Sequence, residues 1–208
     1  GFYLLENENP NASLRENGKK GYYYPRRSRD IQGIVVHTAE GGREALGIAK
    51  YLAKTDRTAS AHVVVDDKNI VNLLPDDFTA FHVRGHNSNT LGIELAYFAS
   101  EWGLDKEYED AVIALAAKWC SEKVELYNIT PRRLNREEWL AGKSGFISHA
   151  ELDPSRRTDP GMNFPWEQFF TLIKGKAYRK AKRQAPRWQG QVFYVKAPYM
   201  RGPDIEQW

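Results

Sequence analysis

Short hydrophobic runs rich in β-branched residues recur along the chain and predict a series of strands. They lie at residues 31–37, 60–65, 70–74, 91–96 and 146–149. A polar turn at residues 66–69 separates the second run from the third, so these two runs are expected to pair as a hairpin.

Apolar residues at a spacing near 3.6 predict helices between these strands. One helix covers residues 45–53, and a clearer one covers residues 108–120, with Asp105 as its N-cap and Asn128 as its stop. A last helix is expected at residues 165–174, with proline in its first turn. Strands that alternate with helices indicate an α/β fold, in which helices pack on the faces of a mixed central β-sheet of about five to six strands.

The two ends of the chain differ from its middle. Residues 1–30 are polar and rich in turn-forming residues, which predicts an irregular N-terminal arm packed on the core. Residues 31–175 hold the predicted strands and helices and suit one domain. Residues 176–208 are interpreted as a basic C-terminal extension or linker.

Charge and cysteine content limit the kinds of binding or metal site that the chain can form. The formal net charge is only +3, but seven basic residues and no acidic one lie between Lys174 and Arg187. That stretch suits an anionic polymer, a membrane surface or a nucleic acid, and it is equally typical of a solvated tail. The single cysteine, Cys120, falls on the apolar face of a predicted helix, so any metal must be held by histidine or carboxylate side chains.

No targeting or membrane segment is predicted. The first residues lack a basic start followed by an apolar stretch and a cleavage site, so we expect no signal peptide. No apolar run approaches the roughly 20 residues that span a bilayer. The chain does not start with methionine, which indicates a piece of something longer.

Two of the five histidines share a context that suits metal binding. His37 and His149 each end a predicted strand, where rigid scaffold meets adaptable loops. A catalytic zinc site uses three protein ligands and leaves a fourth position for water. The segment after His149 offers Glu151, Asp153 and Asp159 as the third ligand, and the chemistry of these side chains does not choose among them.

Glu94 is the other residue of interest, because it interrupts an apolar strand. A carboxylate among apolar residues needs a partner or a raised pKa, and a raised pKa beside an activated water suits a general base. The opposing interpretation, in which one face of the strand is exposed and Glu94 is simply solvated, is equally consistent with the pattern.

Five short segments follow one another along the chain: residues 34–38 (IVVHT), 60–62 (SAH), 80–82 (AFH), 89–94 (NTLGIE) and 149–161, which ends in RTDPG. Taken together in this order, they resemble the type-2 N-acetylmuramoyl-L-alanine amidases, a family that includes phage endolysins, muropeptide-recycling amidases and peptidoglycan recognition proteins. The likeness covers about residues 30 to 175.

The resemblance implies a set of site residues. His37, His149 and Asp159 match the three ligands of a single Zn²⁺ ion, and Glu94 matches the general base. Arg157 falls where the family usually has a lysine that stabilises the oxyanion. Arginine preserves the positive charge but cannot release a proton, so electrostatic stabilisation survives this exchange and proton transfer does not.

Other positions of the motifs imply secondary roles or differ from the family. Ala61 occupies a position where some phage members have a catalytic tyrosine, which assigns proton transfer to Glu94 alone. His82 belongs to a segment that lines the groove beside the metal, and it is expected to contact substrate, as are Asn89 and Thr38. His62 is expected to make structural hydrogen bonds.

The resemblance also implies a function. Residues 31–175 would form a zinc amidase domain that hydrolyses the bond between the N-acetylmuramic acid lactyl group and L-alanine of peptidoglycan. We expect the catalytic domain of a phage lysin, made in the host cytoplasm and acting at the cell wall, as a monomer. The basic stretch from Lys174 to Arg187 would contact an anionic envelope polymer.

Three alternative functions remain open from the sequence alone. A cytoplasmic recycling amidase would act on small soluble muropeptides instead of the polymeric wall. A recognition module would bind peptidoglycan without cutting it, although such modules lack the metal ligands. A nucleic-acid-binding protein would use the basic stretch, but no nucleic-acid motif accompanies it and no such partner is expected.

Overall fold

The fold is built around one mixed β-sheet, seen in a computed structural model that describes residues 2–5, 23–24, 28–54, 59–175 and 192–195. The strands are β1 (Phe2–Leu5), β2 (Tyr23–Tyr24), β3 (Gly33–Thr38), β4 (Val63–Val65), β5 (Ile70–Asn72), β6 (Thr79–Ala80), β7 (Thr90–Leu95), β8 (Gly145–Ser148) and β9 (Val192–Val195). The helices are α1 (Ala45–Lys54), α2 (Lys106–Tyr127), α3 (Arg136–Leu140), α4 (His149–Leu152) and α5 (Trp166–Lys174).

Seven strands form the main sheet in the order β1-β9-β5-β4-β7-β3-β8. All neighbours are parallel except β4 and β5, which form the predicted antiparallel hairpin. The two remaining strands, β2 and β6, pair with each other. The predicted α/β class with a mixed sheet is therefore confirmed. Five strands come from the middle of the chain, and β1 and β9 extend one edge.

Those two edge strands bear on the predicted domain boundaries. β1 lies within the predicted N-terminal arm, which is thus not irregular throughout, and β9 lies within the predicted C-terminal extension. Most of both segments is outside the described residues, including the basic stretch beyond residue 175. The division at residues 30 and 175 stays a prediction.

The two faces of the sheet carry different residues because side chains alternate along each strand. On one face, apolar side chains such as Ile34, Leu91 and Ile93 pack under α2 and α5. On the other face, α1 covers Val64 and Val71, and a smaller cluster surrounds Val35. His37 and Glu94 lie on the second face, beside the residues that α1 covers.

Helix ends agree with the sequence signals. The Asp105 side chain caps α2 by accepting from the Tyr108 amide, and Asn128 ends the helix in the left-handed conformation with φ 52°. Cys120 is buried within α2, as its apolar neighbours predicted. Asp66 ties the hairpin turn to α1, because its carboxylate accepts hydrogen bonds from the amides of Ala45, Lys68 and Asn69.

None of the helices in the described ranges has the length and apolar character needed to traverse a bilayer.

Close approach of β3 and β8 depends on glycine at position 33. A Cβ built there would lie 2.0 Å from the Gly145 carbonyl oxygen and 2.9 Å from the Trp139 ring. We expect Gly33→Ala to lower the free energy of unfolding by about 1–3 kcal/mol or more, because backbone must move to accept the methyl group. Urea titration would measure the loss.

Gly47→Ala provides a matched control for this substitution. Gly47 lies inside α1, where a new Cβ would meet only the Glu44 carboxylate at 3.6 Å. Alanine there should leave stability unchanged or raise it by roughly 0.5–1 kcal/mol, since glycine is a poor helix former. Equal effects of the two substitutions would contradict the proposed backbone clash.

Candidate metal and active site

The sheet topology brings the two predicted histidine ligands together. β3 and β8 are adjacent and parallel, and Val36 pairs with Ser148, so the residues that follow them lie side by side. His37 is on β3, and His149 is the first residue of α4. The Ser148 side chain caps this short helix by accepting from the Glu151 amide. Both imidazoles are buried, with exposures of 2% and 5%.

Asp159 reaches the same place on a loop that is anchored on both sides. Its carbonyl oxygen accepts a hydrogen bond from the Ala150 amide, and the Trp102 indole donates to the carbonyl oxygen of Pro160 at 2.6 Å. Gly161 has a φ of +106° and packs so closely on Ala99 that a Cβ would lie 2.2 Å from its carbonyl oxygen. The sequence had not identified Trp102 as a residue that positions this loop.

Three potential ligand atoms meet in a nearly equilateral triangle. The Oδ2 atom of Asp159 lies 2.9 Å from Nδ1 of His37 and 3.0 Å from Nδ1 of His149. The two Nδ1 atoms are themselves 3.0 Å apart. Because each nitrogen presents a lone pair when its proton is on Nε2, and the carboxylate only accepts, a cation is the group that satisfies all three atoms.

This donor set fits zinc. Two neutral imidazoles and one carboxylate, with an open fourth position, form a typical catalytic zinc site. Bond lengths of about 2.0–2.1 Å in a tetrahedral site place ligand atoms about 3.3 Å apart. The separations of 2.9 to 3.0 Å need to widen only slightly to meet that value.

The structure also separates Asp159 from the other two candidate carboxylates. Glu151 pairs with Arg133 at 3.5 Å. Asp153 pairs with Arg156, and this hydrogen bond lowers the pKa of the Asp153 carboxyl. Asp159 alone among the three joins both histidines.

Burial controls the protonation of the triangle. Desolvation lowers the pKa of His37, which favours the neutral imidazole that binds metals. Burial by itself would raise the pKa of Asp159, but the adjacent imidazoles of His149 and His37 hold that pKa below its usual range. Both residues are therefore in the protonation state that a cation requires at neutral pH.

Glu94 lies beside the triangle on the same face of the sheet. It is the register partner of His37 across β3 and β7, and neighbouring strands are about 4.8 Å apart. Its carboxylate is partly buried, and among the described residues no hydrogen bond or ion pair reaches it. Burial raises the pKa of Glu94 to about 8, the Asp159 charge adds to this shift, and the Arg157 charge opposes it.

Arg157 follows α4 on an exposed turn. Its amide donates to the Asp153 carbonyl oxygen at 3.0 Å, and its side chain is open to solvent. The positive charge of the guanidinium nevertheless reaches the site, because it lowers the pKa values of both Glu94 and His37. The Arg157 charge thus contributes to the electrostatics of the site.

Of the three predicted substrate contacts, only His82 joins the cluster. Its Nδ1 lies 2.9 Å from Nε2 of His37. The Thr38 hydroxyl instead donates to Glu40 at 2.6 Å. The Asn89 amide donates to Gln32 at 2.8 Å, and five residues of strand, about 16 Å, separate Asn89 from Glu94.

His62 makes the structural hydrogen bonds that were expected of it. It is fully buried just before β4, where its Nδ1 accepts from the Gly92 amide at 2.9 Å. Its Nε2 faces the Phe78 carbonyl oxygen at 3.1 Å. This histidine joins β4 to β7 and takes no part in the triangle.

Comparison with known proteins relates this geometry to a family. N-acetylmuramoyl-L-alanine amidase A of Achromobacter lyticus is 24% identical over 169 residues, which cover 73% of this chain and 88% of that protein. The amidase AmiD of Escherichia coli (strain K12) is 25% identical over 186 residues, which cover 79% of this chain and 59% of that protein.

The fold is shared with a solved structure as well. The Staphylococcus aureus hydrolase AmiA, determined in complex with its ligand, superposes with a TM-score of 0.60 at 19% identity, over 88% of this chain and 97% of that one.

The sequence profile of the N-acetylmuramoyl-L-alanine amidases matches residues 27–162, which is well over half of the chain. The chain therefore belongs to the N-acetylmuramoyl-L-alanine amidase family and is an amide-hydrolysing enzyme.

Proposed function

We propose that the protein uses one zinc ion to hydrolyse the amide bond between the lactyl group of N-acetylmuramic acid and L-alanine of the peptidoglycan stem peptide. The observation that supports this proposal best is the buried triangle of His37, His149 and Asp159, in which every edge is 3.0 Å or shorter. Family membership supports the choice of the amide bond.

Zinc bound to this triangle would supply Lewis-acid activation of the attacking water and of the amide carbonyl. Glu94 would take the proton from that water, a role supported by its position beside His37 on the same face of the sheet. Its raised pKa makes it a stronger base than a solvated carboxylate, and the positive charge of a bound cation would bring that pKa down toward neutrality. The same carboxyl group then protonates the leaving amine of L-alanine.

Arg157 would stabilise the negative charge that develops on the carbonyl oxygen. Its guanidinium charge already acts on Glu94 and His37, so it would act on an anion between them. Because arginine stays protonated, it contributes charge and hydrogen bonds but no proton.

The biological setting that we propose is the catalytic domain of a phage lysin, acting on the polymeric cell wall. The seven basic residues between Lys174 and Arg187 support this choice, because anionic envelope polymers surround the wall. A recycling amidase, which meets only small soluble muropeptides, has no use for such a stretch.

Digestion of purified peptidoglycan tests the proposal directly. The protein should release soluble peptides with free L-alanine amino termini, identified by mass spectrometry, and the release should stop with a chelator and return with zinc. A parallel digestion of small soluble muropeptides distinguishes the two settings, since a lysin should prefer the polymer. Wall binding without cleavage at any zinc concentration would refute the catalytic proposal.

Substitution of Arg157 separates charge stabilisation from proton transfer. We expect Arg157→Ala to lower kcat by about 100-fold, the scale for losing one oxyanion-stabilising donor. Arg157→Lys should retain most of the rate, because it keeps the positive charge at an exposed position. Steady-state amide release measures both variants.

Exposed Arg156 supplies the matched control, since it is the adjacent residue and already pairs with Asp153. Arg156→Ala should change kcat by less than roughly twofold, as expected for loss of a surface ion pair. A comparable loss in both alanine variants would indicate a general need for positive charge on this turn and would contradict a specific role of Arg157.

A further inference from the structure

The second ring nitrogen of His37 has a defined partner. While Nδ1 points into the triangle, Nε2 lies 2.9 Å from Nδ1 of His82. The two rings meet edge to face, with centroids 5.2 Å apart. His82 thus contacts a candidate metal ligand on the side away from the metal position.

The contacts of His82 continue to a fixed backbone acceptor. Nε2 of His82 lies 2.9 Å from Oγ1 of Thr90, and the Thr90 hydroxyl donates to the carbonyl oxygen of His86 at 2.7 Å. That carbonyl can only accept, so the Thr90 hydroxyl must accept from His82. The ring of His82 then carries its proton on Nε2 and presents a bare Nδ1 to His37.

The hydrogen bonds therefore run in one direction, from His37 through His82 and Thr90 to the carbonyl oxygen of His86. With both rings neutral, His37 then donates from Nε2, which leaves Nδ1 unprotonated and free to bind a cation. The tautomer that a metal ligand needs is set by a backbone carbonyl three hydrogen bonds away.

The surroundings hold the ring of His82 in place. It lies directly over Gly92, where a Cβ would come within 2.6 Å of two ring atoms. The amides of His82 and Val83 both donate to the side-chain oxygen of Asn87, which closes the loop. Thr90 is fully buried at the start of β7. The sequence patterns did not single out Thr90.

We propose that His82, fixed by Thr90, is a positioning residue that selects the Nε2–H tautomer of His37 and aims its Nδ1 at the metal. Partners of this kind orient metal-bound histidines in many proteins, where the usual acceptor is a carboxylate, a backbone carbonyl or water. Here a second imidazole takes that place. The inference rests on the proposed zinc centre and revises the expected role of His82, which acts through His37 instead of on substrate.

Zinc affinity of purified variants tests the inference without reference to activity. Competition with a chromophoric chelator gives the Kd of each protein for Zn²⁺ alone. We expect His82→Ala to raise this Kd about 10- to 100-fold, the usual cost of losing such a partner. His82→Asn keeps an acceptor oxygen near the Nδ1 position, so it should recover much of the affinity.

Thr90→Val examines the next step of the chain and serves if His82→Ala does not fold. It should raise the Kd for zinc several-fold, because His82 loses the acceptor that fixes its tautomer. Nitrogen-15 NMR of the imidazoles should show His37 protonated on Nε2 in the parent protein and a mixture of tautomers in this variant. His86→Ala is the matched histidine control, since its ring pairs with Trp139 and its carbonyl is retained.

The outcomes distinguish failure of the proposed zinc centre from failure of the proposed positioning role of His82. A parent protein that binds no zinc would refute the metal centre itself. A parent that binds zinc, with Kd values for His82→Ala and Thr90→Val within threefold of it, would overturn only the positioning role. A raised KM for peptidoglycan in His82→Ala at unchanged zinc affinity would return His82 to direct substrate contact.

Discussion

Glu94→Gln is expected to lose about 10²- to 10⁴-fold in kcat, the scale for removing a general base, while zinc binding persists. The amide side chain has nearly the shape of the carboxylate but cannot accept a proton from water. Glu94 is not one of the triangle's three residues, so the metal position should remain intact. Amide release and zinc content, measured on the same preparation, check both halves of this result.

The same substitution should stabilise the metal-free protein at alkaline pH. An unfolded glutamate ionises near its ordinary pKa of 4.5, whereas burial raises the pKa of Glu94 to about 8. Between these values the folded state binds more protons than the unfolded state, so stability falls as pH rises through that window. Glu94→Gln removes this loss, and we expect a gain on the order of 1 to 3 kcal/mol above pH 8.

Urea titrations at pH 5 and pH 9, with chelator present, provide this measurement. At pH 5 the parent and the variant should differ little, because the folded parent is still protonated. Glu151→Gln is a suitable control, since Glu151 lies near the site but pairs with Arg133. If Glu94→Gln retained full activity, or if its stability matched the parent at pH 9, Glu94 would be a solvated residue of the strand.

Asp159→Ala should abolish tight zinc binding and lower activity by more than about 100-fold. Loss of a residue that only orients a metal ligand costs at most about that much, and loss of a ligand itself should cost more. Two histidines remain in this variant, and they offer too few ligands for a stable zinc site. Metal analysis after dialysis should find little zinc, and added zinc should restore only part of the rate. The parent treated with chelator should behave in the same way.

Asp153→Ala is the control for this experiment. Asp153 stands six residues earlier and pairs with Arg156 on an exposed turn. Its loss should leave zinc content at the parental level and change the rate by roughly twofold at most. Zinc retention in Asp159→Ala, or zinc loss in Asp153→Ala, would show that the third ligand had been assigned to the wrong carboxylate.

Much of the fold follows from local sequence patterns. The long helix α2 begins and ends at the predicted cap residues, Asp105 and Asn128, because both caps are local hydrogen-bond arrangements. The two short helices α3 and α4 were not predicted. α4 has only four residues, too few to show a period. α3 did carry a signal, since Asn135 and Glu138 form a capping box at its start.

The candidate site was predictable in part. Strand ends located His37 and His149, because parallel neighbours end at one edge of a sheet. The choice among three carboxylates required the tertiary structure, in which arginines occupy two of them. The position of Asn89 was also beyond the sequence pattern, because its amide pairs with Gln32 from a distant part of the chain.

Alternate residues of strand β7 face opposite sides of the sheet and make different contacts. Leu91, Ile93 and Leu95 face the helices and contribute to folding. Thr90, Gly92 and Glu94 face the site, where Thr90 contacts His82, Gly92 makes room for the His82 ring and Glu94 is the proposed base. Packing of the core and the proposed chemistry therefore depend on separate positions of one strand. The odd-numbered residues can therefore be exchanged without altering the proposed site, and the even-numbered ones can be exchanged without rebuilding the core under the helices.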